Sequence, residues 1–366
     1  IPLLLGMLFQ QFYSMMDTII VGRCLGVNAL AAVGSTGSVN FMIIGFCMGV
    51  CNGFAIPVAQ RFGAKDQTGL RKFVANSVWL SIVFAVIMTI VTCILCRQIM
   101  TWMRTPADIF EDANTYIFII FIGIPATYLY NLVSGIIRSL GDSRSPLFFL
   151  IVSSVLNIGL DFLFILTFHM GVAGAAWATV ISQAVSGIGC LFYMKHKFEI
   201  LKIRPEEWKM DTKYMKILCG MGIPMGLQYS ITAIGSVILQ TAVNTLGSSA
   251  VAAITAGSKV SMFFCCPYDA MGSTMATYAG QNVGAGKLDR VKKGMLSCCL
   301  LGLIYAVLAF VFLFFFGRYT ALLFMEASEK AILGNVTTFL LINSAFFFPL
   351  SLVNIIRFTI QVLGYC

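Results

Sequence analysis

The sequence predicts an all-α membrane protein, a polytopic bundle of about ten transmembrane helices. Three observations carry that reading. Hydrophobic residues make up 59% of the 366 and charged residues only 11%, against roughly 45–50% and 25% in a soluble domain; mean hydropathy is +0.90. The apolar residues gather in runs long enough to cross a bilayer as helix, which takes about 20 residues. No ten-residue alternation of apolar and polar residues recurs, which argues against a transmembrane β-barrel.

The first run, residues 1–22, is too long for a signal-peptide core and no cleavage-like site follows it, so it reads as the first helix, with a short tail expected ahead of it. Nine more runs follow at 35–60, 73–100, 113–137, 146–168, 171–194, 214–245, 251–280, 291–317 and 331–363. One long polar stretch, KHKFEILKIRPEEWKMDTK at 195–213, separates the sixth from the seventh and reads as a linker between two bundles. Loops after even-numbered runs, with their flanks, hold 17 of the 24 Lys and Arg, Arg138 among them. The positive-inside rule then places these loops, the 195–213 stretch and the N-terminus in the cytoplasm. The net charge of +9 is thereby explained by orientation, and no nucleic-acid partner is implied.

An internal repeat sets the architecture. LGVNALAAV at 25–33 resembles LGSSAVAAI at 246–254, QRFGA at 60–64 resembles QNVGA at 281–285, and Arg71-Lys72 corresponds to Lys292-Lys293, all at an offset of 221 and all read as loop positions. Six helices separate the copies, so both halves enter the membrane in the same direction, as parallel repeats of a transporter do. The expected domains are a first lobe at 1–197, a cytoplasmic linker at 198–213 and a second lobe at 214–366. The first lobe has six helices and the second shows four, so two further helices are expected beyond the sequence.

Charge at membrane depth costs at least about 2.5 kcal/mol on insertion scales and marks candidate sites. Asp17 and Asp161 are the two acids well inside the first six runs, and Asn157 stands one turn before Asp161 on the same helix face. Thr179 adds a hydroxyl in the sixth run and Tyr116 a phenol in the fourth. Two carboxyls with amide and hydroxyl oxygens suit a dehydrated Na⁺ or a shared proton; the plainer reading is a helix-end aspartate reaching the headgroups. The offset carries Asp17 to Ile238, so the second half has no matching acid. Asp269, in the eighth run, is either structural or a contact for cationic cargo. Gln228 and Gln240, in the seventh, are candidates for a substrate cavity or for plain helix–helix hydrogen bonds. The twelve cysteines sit mainly in apolar runs without metal-ligand spacing and read as small packers. Pro57, Pro125, Pro224, Pro267 and Pro349 lie inside spans and read as kinks or hinges. No phosphate-binding G-x-x-x-x-G-K-S/T loop, histidine cluster or nucleophile elbow is present, so neither an ATP-driven pump nor an enzyme is expected.

Several motifs together are similar to those of MATE (multidrug and toxic compound extrusion) exporters. They are MMDTIIVGRCLGVNALAAV in the first helix, QRFGAKD and LRK in the next loop, SGIIRSLGDSR, NIGLDFLFI, and QNVGAGKLDRVKKG in the second half. The seventh run lacks a buried Glu, which resembles the DinF-like branch rather than the NorM-like one. The resemblance implies two six-helix lobes around a central cavity, and a multi-pass protein of the inner or plasma membrane acting as a monomer. It implies export of small, cationic, often aromatic compounds against inward Na⁺ or H⁺, with no other cofactor. It also implies a first-lobe cation site matching Asp17, Asn157, Asp161 and Thr179, with Tyr116 nearby. The alternative is a lipid or lipid-linked oligosaccharide flippase of the same wider superfamily, and the mainly acidic intramembrane charge favours cationic cargo over it.

Overall fold

The computed structural model describes residues 2–363 except 26, 104, 106, 108, 245–247 and 322–329; side-chain surroundings are not described at 236–256, 321–333 and scattered positions up to 31, 259 and 335. The described chain is helical, without a strand. Its twelve α-helices are α1 (Pro2–Leu25), α2 (Val27–Gly63), α3 (Gln67–Trp102), α4 (Phe110–Ile122), α5 (Ile124–Ser139), α6 (Arg144–Phe162), α7 (Val172–Lys197), α8 (Thr212–Asn244), α9 (Ser248–Gly284), α10 (Leu288–Ala321), α11 (Lys330–Ala345) and α12 (Phe347–Val362). Six described helices are long and apolar enough to cross a membrane, and up to eight spans result if each bent pair is one.

Each of the ten apolar runs coincides with a helix or a bent helix pair. The fourth is α4 and α5, bent by 45° at Gly123, and the tenth is α11 and α12, bent by 46° at Phe346. Pro125 and Pro349 stand in the first turn after each break, where the missing N–H costs no helical bond. Pro57, Pro224 and Pro267 lie within α2, α8 and α9. The string at 25–33 is not the loop the sequence suggested. Gly26 aside, which lies outside the described residues, it ends α1 and begins α2, because small residues let helices pack closely and do not by themselves stop one.

Helix bounds recur at the repeat spacing. Adding 221 to the ends of α2 gives those of α9, and adding it to the start of α3 gives the start of α10. The turns that follow match bond for bond. Ala64 N–H donates to Gln60 O, Lys65 to Phe62 O and Asp66 to Arg61 O; Ala285 donates to Gln281 O, Gly286 to Val283 O and Lys287 to Asn282 O. Lys65 (φ 58°) and Gly286 (φ 69°) hold the same left-handed position, a strained one for Lys and an easy one for Gly. Gly26 and Gly247 lie outside the described residues.

Two compact units form, one from Leu4–Ala233 and one from Ile234–Tyr365. In the first, α2 packs on α5, α3 and α4, and α7 on α5, α6 and α4. Helix α8 joins this unit through backbone contact with α2: a Cβ on Gly53 would come within 2.5 Å of Gly222 Cα, and one on Gly49 within 2.6 Å of Met225 O. In the second, α9 packs on α12, α11 and α10. Helices α3 and α10 turn rows of large apolar side chains outward, Val86, Ile90 and Ile94 on one and Leu300, Leu308 and Phe315 on the other, as lipid-facing helices do.

The polar stretch before α8 is docked within the first unit. Arg71 Nε on α3 donates to both carboxylate oxygens of Glu207, at 2.9 and 2.8 Å. Trp79 Nε1 donates to Trp208 O at 3.0 Å, and Asp211 N–H to Asn76 Oδ1 at 2.9 Å. The described cysteines are all free thiols.

Candidate functional site

Two apolar helices of the first unit, α1 and α6, each carry one acid into its interior. Asp17 is 8% exposed and Asp161 fully buried. Their carboxyl groups lie beside one another, close enough to interact directly. Two ionised carboxylates repel at such range, and either a proton on the pair or a cation between the oxygens would neutralise it. Asp17 Oδ1 is buried without a hydrogen-bond partner. A second contact fixes the sense of the two helices. Gly6 on α1 faces Leu147 and Leu150 on α6, so contacts advance along both chains together and the helices run parallel.

Asn157 is fully buried one turn before Asp161. Its Nδ2 donates to Thr179 Oγ1 on α7 at 3.4 Å, which brings α7 to the same face of α6. Further along that interface Ser186 Oγ donates to Phe149 O at 2.9 Å. On the neighbouring α5, Thr127 Oγ1 donates to Gln183 Oε1 of α7 at 2.8 Å. Tyr116 is buried in α4, which packs against α7 and α2. The oxygens this arrangement offers, carboxylate, amide and hydroxyl, are hard ligands of the kind an alkali cation takes. The structure thus brings Asp17 to Asp161 and Asn157 to Thr179, while Tyr116 shares the unit.

One feature at this site had no signal in the sequence. Directly after Asp161, the helix widens into a π-turn over Leu163–Thr167, in which Phe168 N–H reaches back to Leu163 O at 3.1 Å. Such turns cost helical bonding geometry and recur at functional sites. Nothing in the residues LFILT distinguishes them from ordinary helix.

The candidates of the second half stand elsewhere. Asp269 on α9 is exposed and accepts from Asn354 Nδ2 on α12 at 3.2 Å; Arg357 Nη2 in turn donates to Asn354 Oδ1 at 3.0 Å. Gln228 is half-buried in the part of α8 that belongs to the first unit. The side chain of Gln240 lies outside the described residues.

Arg138, counted by sequence among the loop cations, is instead in the last turn of α5 with its guanidinium against α2. The segment-end position misled: an Arg just before a loop reads as an orientation signal whether it points out or in.

A family model described as MatE matches the chain twice, over residues 2–163 and 224–365. Among curated relatives, the probable multidrug resistance protein YpnP of Bacillus subtilis (strain 168) is 30% identical over 357 residues, covering 97% of this chain and 79% of that protein. The probable multidrug resistance protein YoeA of the same organism is 29% identical over 336 residues, covering 90% and 73%. Among solved structures, an outward-facing multidrug resistance MATE family transporter of the MOP superfamily superposes with a TM-score of 0.93 at 25% identity, over 100% of this chain and 81% of that one.

Proposed function

The chain belongs to the MatE family of multidrug efflux transporters, and on that premise we propose that it is a secondary antiporter whose coupling ion, Na⁺ or H⁺, binds between Asp17 and Asp161. It is a membrane-embedded transporter of small molecules rather than an enzyme. The observation that carries the proposal is the contact between two buried carboxyls on parallel helices. In a low-dielectric interior two unneutralised carboxylates repel strongly, so the pair has two states of very different energy, with and without its cation. Asn157 and Thr179 complete the proposed ligand set.

Coupling then follows from differential affinity. A cation bound between α1 and α6 favours the packing in which the acids meet; cargo that prefers the other packing is released as the ion binds and taken up as it leaves. Moving such an equilibrium from 1:99 to 99:1 takes a differential of roughly 5.5 kcal/mol, within reach of relieving one buried carboxylate repulsion. Cationic, often aromatic compounds are the proposed cargo, with Asp269 and Gln228 as the described candidates for contacting it. The matched element bounds and the double family match support two parallel repeats, and the basic loops support a cytoplasmic N-terminus and 195–213 stretch.

The test is flux. Full-length protein in proteoliposomes is loaded with a cationic dye, and Na⁺ and pH gradients are imposed separately. One of the two should drive dye movement, and failure of both would overturn antiport. Cysteine labelling at position 204 in intact cells should occur from the inside; labelling from outside would reverse the proposed topology.

A further inference from the structure

Arg138 is half-buried at the end of α5, with its guanidinium turned toward the bundle. Its Nη2 donates to Asn52 Oδ1 on α2 at 3.5 Å, a long bond to a neutral amide. Gly135, one turn earlier, lets α5 pack closely on α2 beside the guanidinium: a Cβ there would lie 3.4 Å from Ala55 Cβ and 3.9 Å from Arg138 Nη2. Tyr130, Cys51, Cys190 and Tyr229 are within electrostatic range around it. The ion pairs among the described residues involve Arg61, Arg71, Arg97, Lys197 and Lys202, and none involves Arg138. The acid nearest in sequence, Asp142, is engaged elsewhere, accepting from Ser145, Tyr193 and Lys197 and from the N–H groups of Arg144 and Ser145.

A guanidinium carries five donors in a planar fork. One weak bond leaves most of that capacity unused, and covering even part of a charge without an opposite partner is unfavourable. The carbonyl end of α5 offsets only about 0.3–1 kcal/mol of this. Arg71, the other well-covered arginine of this unit, shows the ordinary solution, a carboxylate held by both oxygens. At Arg138 the chain supplies no such oxyanion.

We propose that Arg138 is a binding site for an external oxyanion, a carboxylate or phosphate group, at the end of the first unit that the loop charges place toward the cytoplasm. The guanidinium fork, with the Asn52 amide beside it, holds the oxyanion, which reaches it from the half-exposed end of α5. Two sources present this chemistry, an amphoteric cargo molecule and an anionic lipid headgroup. The first rests on the export reading and narrows it, from cations to compounds that also carry an acid; the site itself does not depend on that reading.

The experiment measures equilibrium binding in full-length purified protein, so it needs no gradient. The probes are a rhodamine ethyl ester, a permanent cation, and its free carboxylic acid, a zwitterion with the same fluorophore, each titrated by fluorescence anisotropy. With Arg138→Gln the ratio of acid to ester affinity should fall roughly tenfold or more, the scale of a charge-assisted hydrogen bond. Arg138→Lys, which keeps the charge but loses the fork, should fall between the two and serves if the Gln variant unfolds on a thermal melt. Repeating the titrations in nanodiscs of phosphatidylcholine, with and without phosphatidylglycerol, separates the sources. A lipid occupant makes phosphatidylglycerol weaken acid binding to the unmodified protein but not to Arg138→Gln; a cargo occupant leaves the ratio independent of lipid. An unchanged ratio in both variants, in both lipids, overturns the proposal. Dye binding that depends on Arg138 without gradient-driven flux would instead sink the export reading and leave the oxyanion site standing.

Discussion

The two halves of the chain share a skeleton and differ in what they bury. Helices α2 and α9 have the same length and turn out of the membrane through the same three hydrogen bonds, and the bent pairs α4–α5 and α11–α12 break by nearly the same angle. Yet α1 carries Asp17 where the second half has Ile238. Both the α2–α5 and the α9–α12 interface hold an arginine bonded to an asparagine, Arg138 with Asn52 and Arg357 with Asn354, but at the second an acid, Asp269, accepts from the same asparagine. The halves thus share helix bounds and turn bonding while differing in where they carry acids. Backbone geometry is fixed by helix length, small residues and turn bonding, which many sequences satisfy; a buried charge is fixed by its one partner, and it can change in one half without disturbing the other.

The sharpest structural contrast is at the glycines. Gly53 and Gly49 admit the backbone of α8, and their counterparts at the repeat spacing are Thr274 and Ala270, which carry side chains. Gly53→Val should cost about 3 kcal/mol or more by forcing α2 from α8, read as loss of monodisperse protein on size-exclusion chromatography. Thr274→Val, at an exposed position, should stay within about 0.5 kcal/mol. Equal effects would mean that the two helices are packed alike after all.

Next is the strap. Arg71→Ala removes the partner of Glu207, whose carboxyl is held below its usual range first by Arg71, against the opposing effect of desolvation, and also by the Arg204 N–H. The loss should be about 2 kcal/mol, between exposed and fully buried pairs. Lys292→Ala, its exposed counterpart, should cost less than about 0.5 kcal/mol. Thermal melts of the two variants measure the difference, and a loss in Lys292→Ala as large as in Arg71→Ala would remove the asymmetry.

The smallest effect concerns the turn between α5 and α6. Burial works against ionisation of Asp142, but hydrogen bonds from Ser145, Tyr193 and Lys197 outweigh it and hold the carboxyl well below its ordinary value. A depressed carboxyl stabilises fully above its unfolded value of roughly 3.9 and loses that contribution as pH falls toward the folded one. Asp142→Asn should therefore cost about 1 kcal/mol at neutral pH, the worth of a helix cap, and should flatten the acid limb of the stability curve below about pH 4. An acid limb unchanged by the substitution would place the sensitivity elsewhere.

Much of this frame was legible in the residues. The spans follow from apolar runs, and the two breaks lie beside prolines already visible at 125 and 349. The repeat spacing, found from three short strings, reappears in helix bounds. What misled was local. Small residues at 25–33 resemble a turn in a soluble chain but are helix here, since Gly and Ala serve close packing in a membrane. Arg138 was assigned by its place in the sequence, which does not say whether a side chain near a helix end points outward or inward. The pairing of Asp17 with Asp161 needed the resemblance to known exporters, because two acids 144 residues apart meet only through tertiary packing. The π-turn after Asp161 depends on a register shift that composition does not encode.

The central claim is that ion coupling resides in the first half, at the Asp17–Asp161 pair, and not in the second. It is tested most directly by ion-gradient-driven dye export in proteoliposomes of the full-length protein, comparing Asp17→Asn, Asp161→Asn and Asp269→Asn at equal reconstituted amounts. Asn keeps size and hydrogen bonding but cannot carry the charge that the cation neutralises. The account predicts that the first two variants still bind dye but lose the response to the gradient, and that Asp269→Asn keeps the response while its affinity for cationic dye changes. Full gradient-driven export by Asp17→Asn or Asp161→Asn would contradict it.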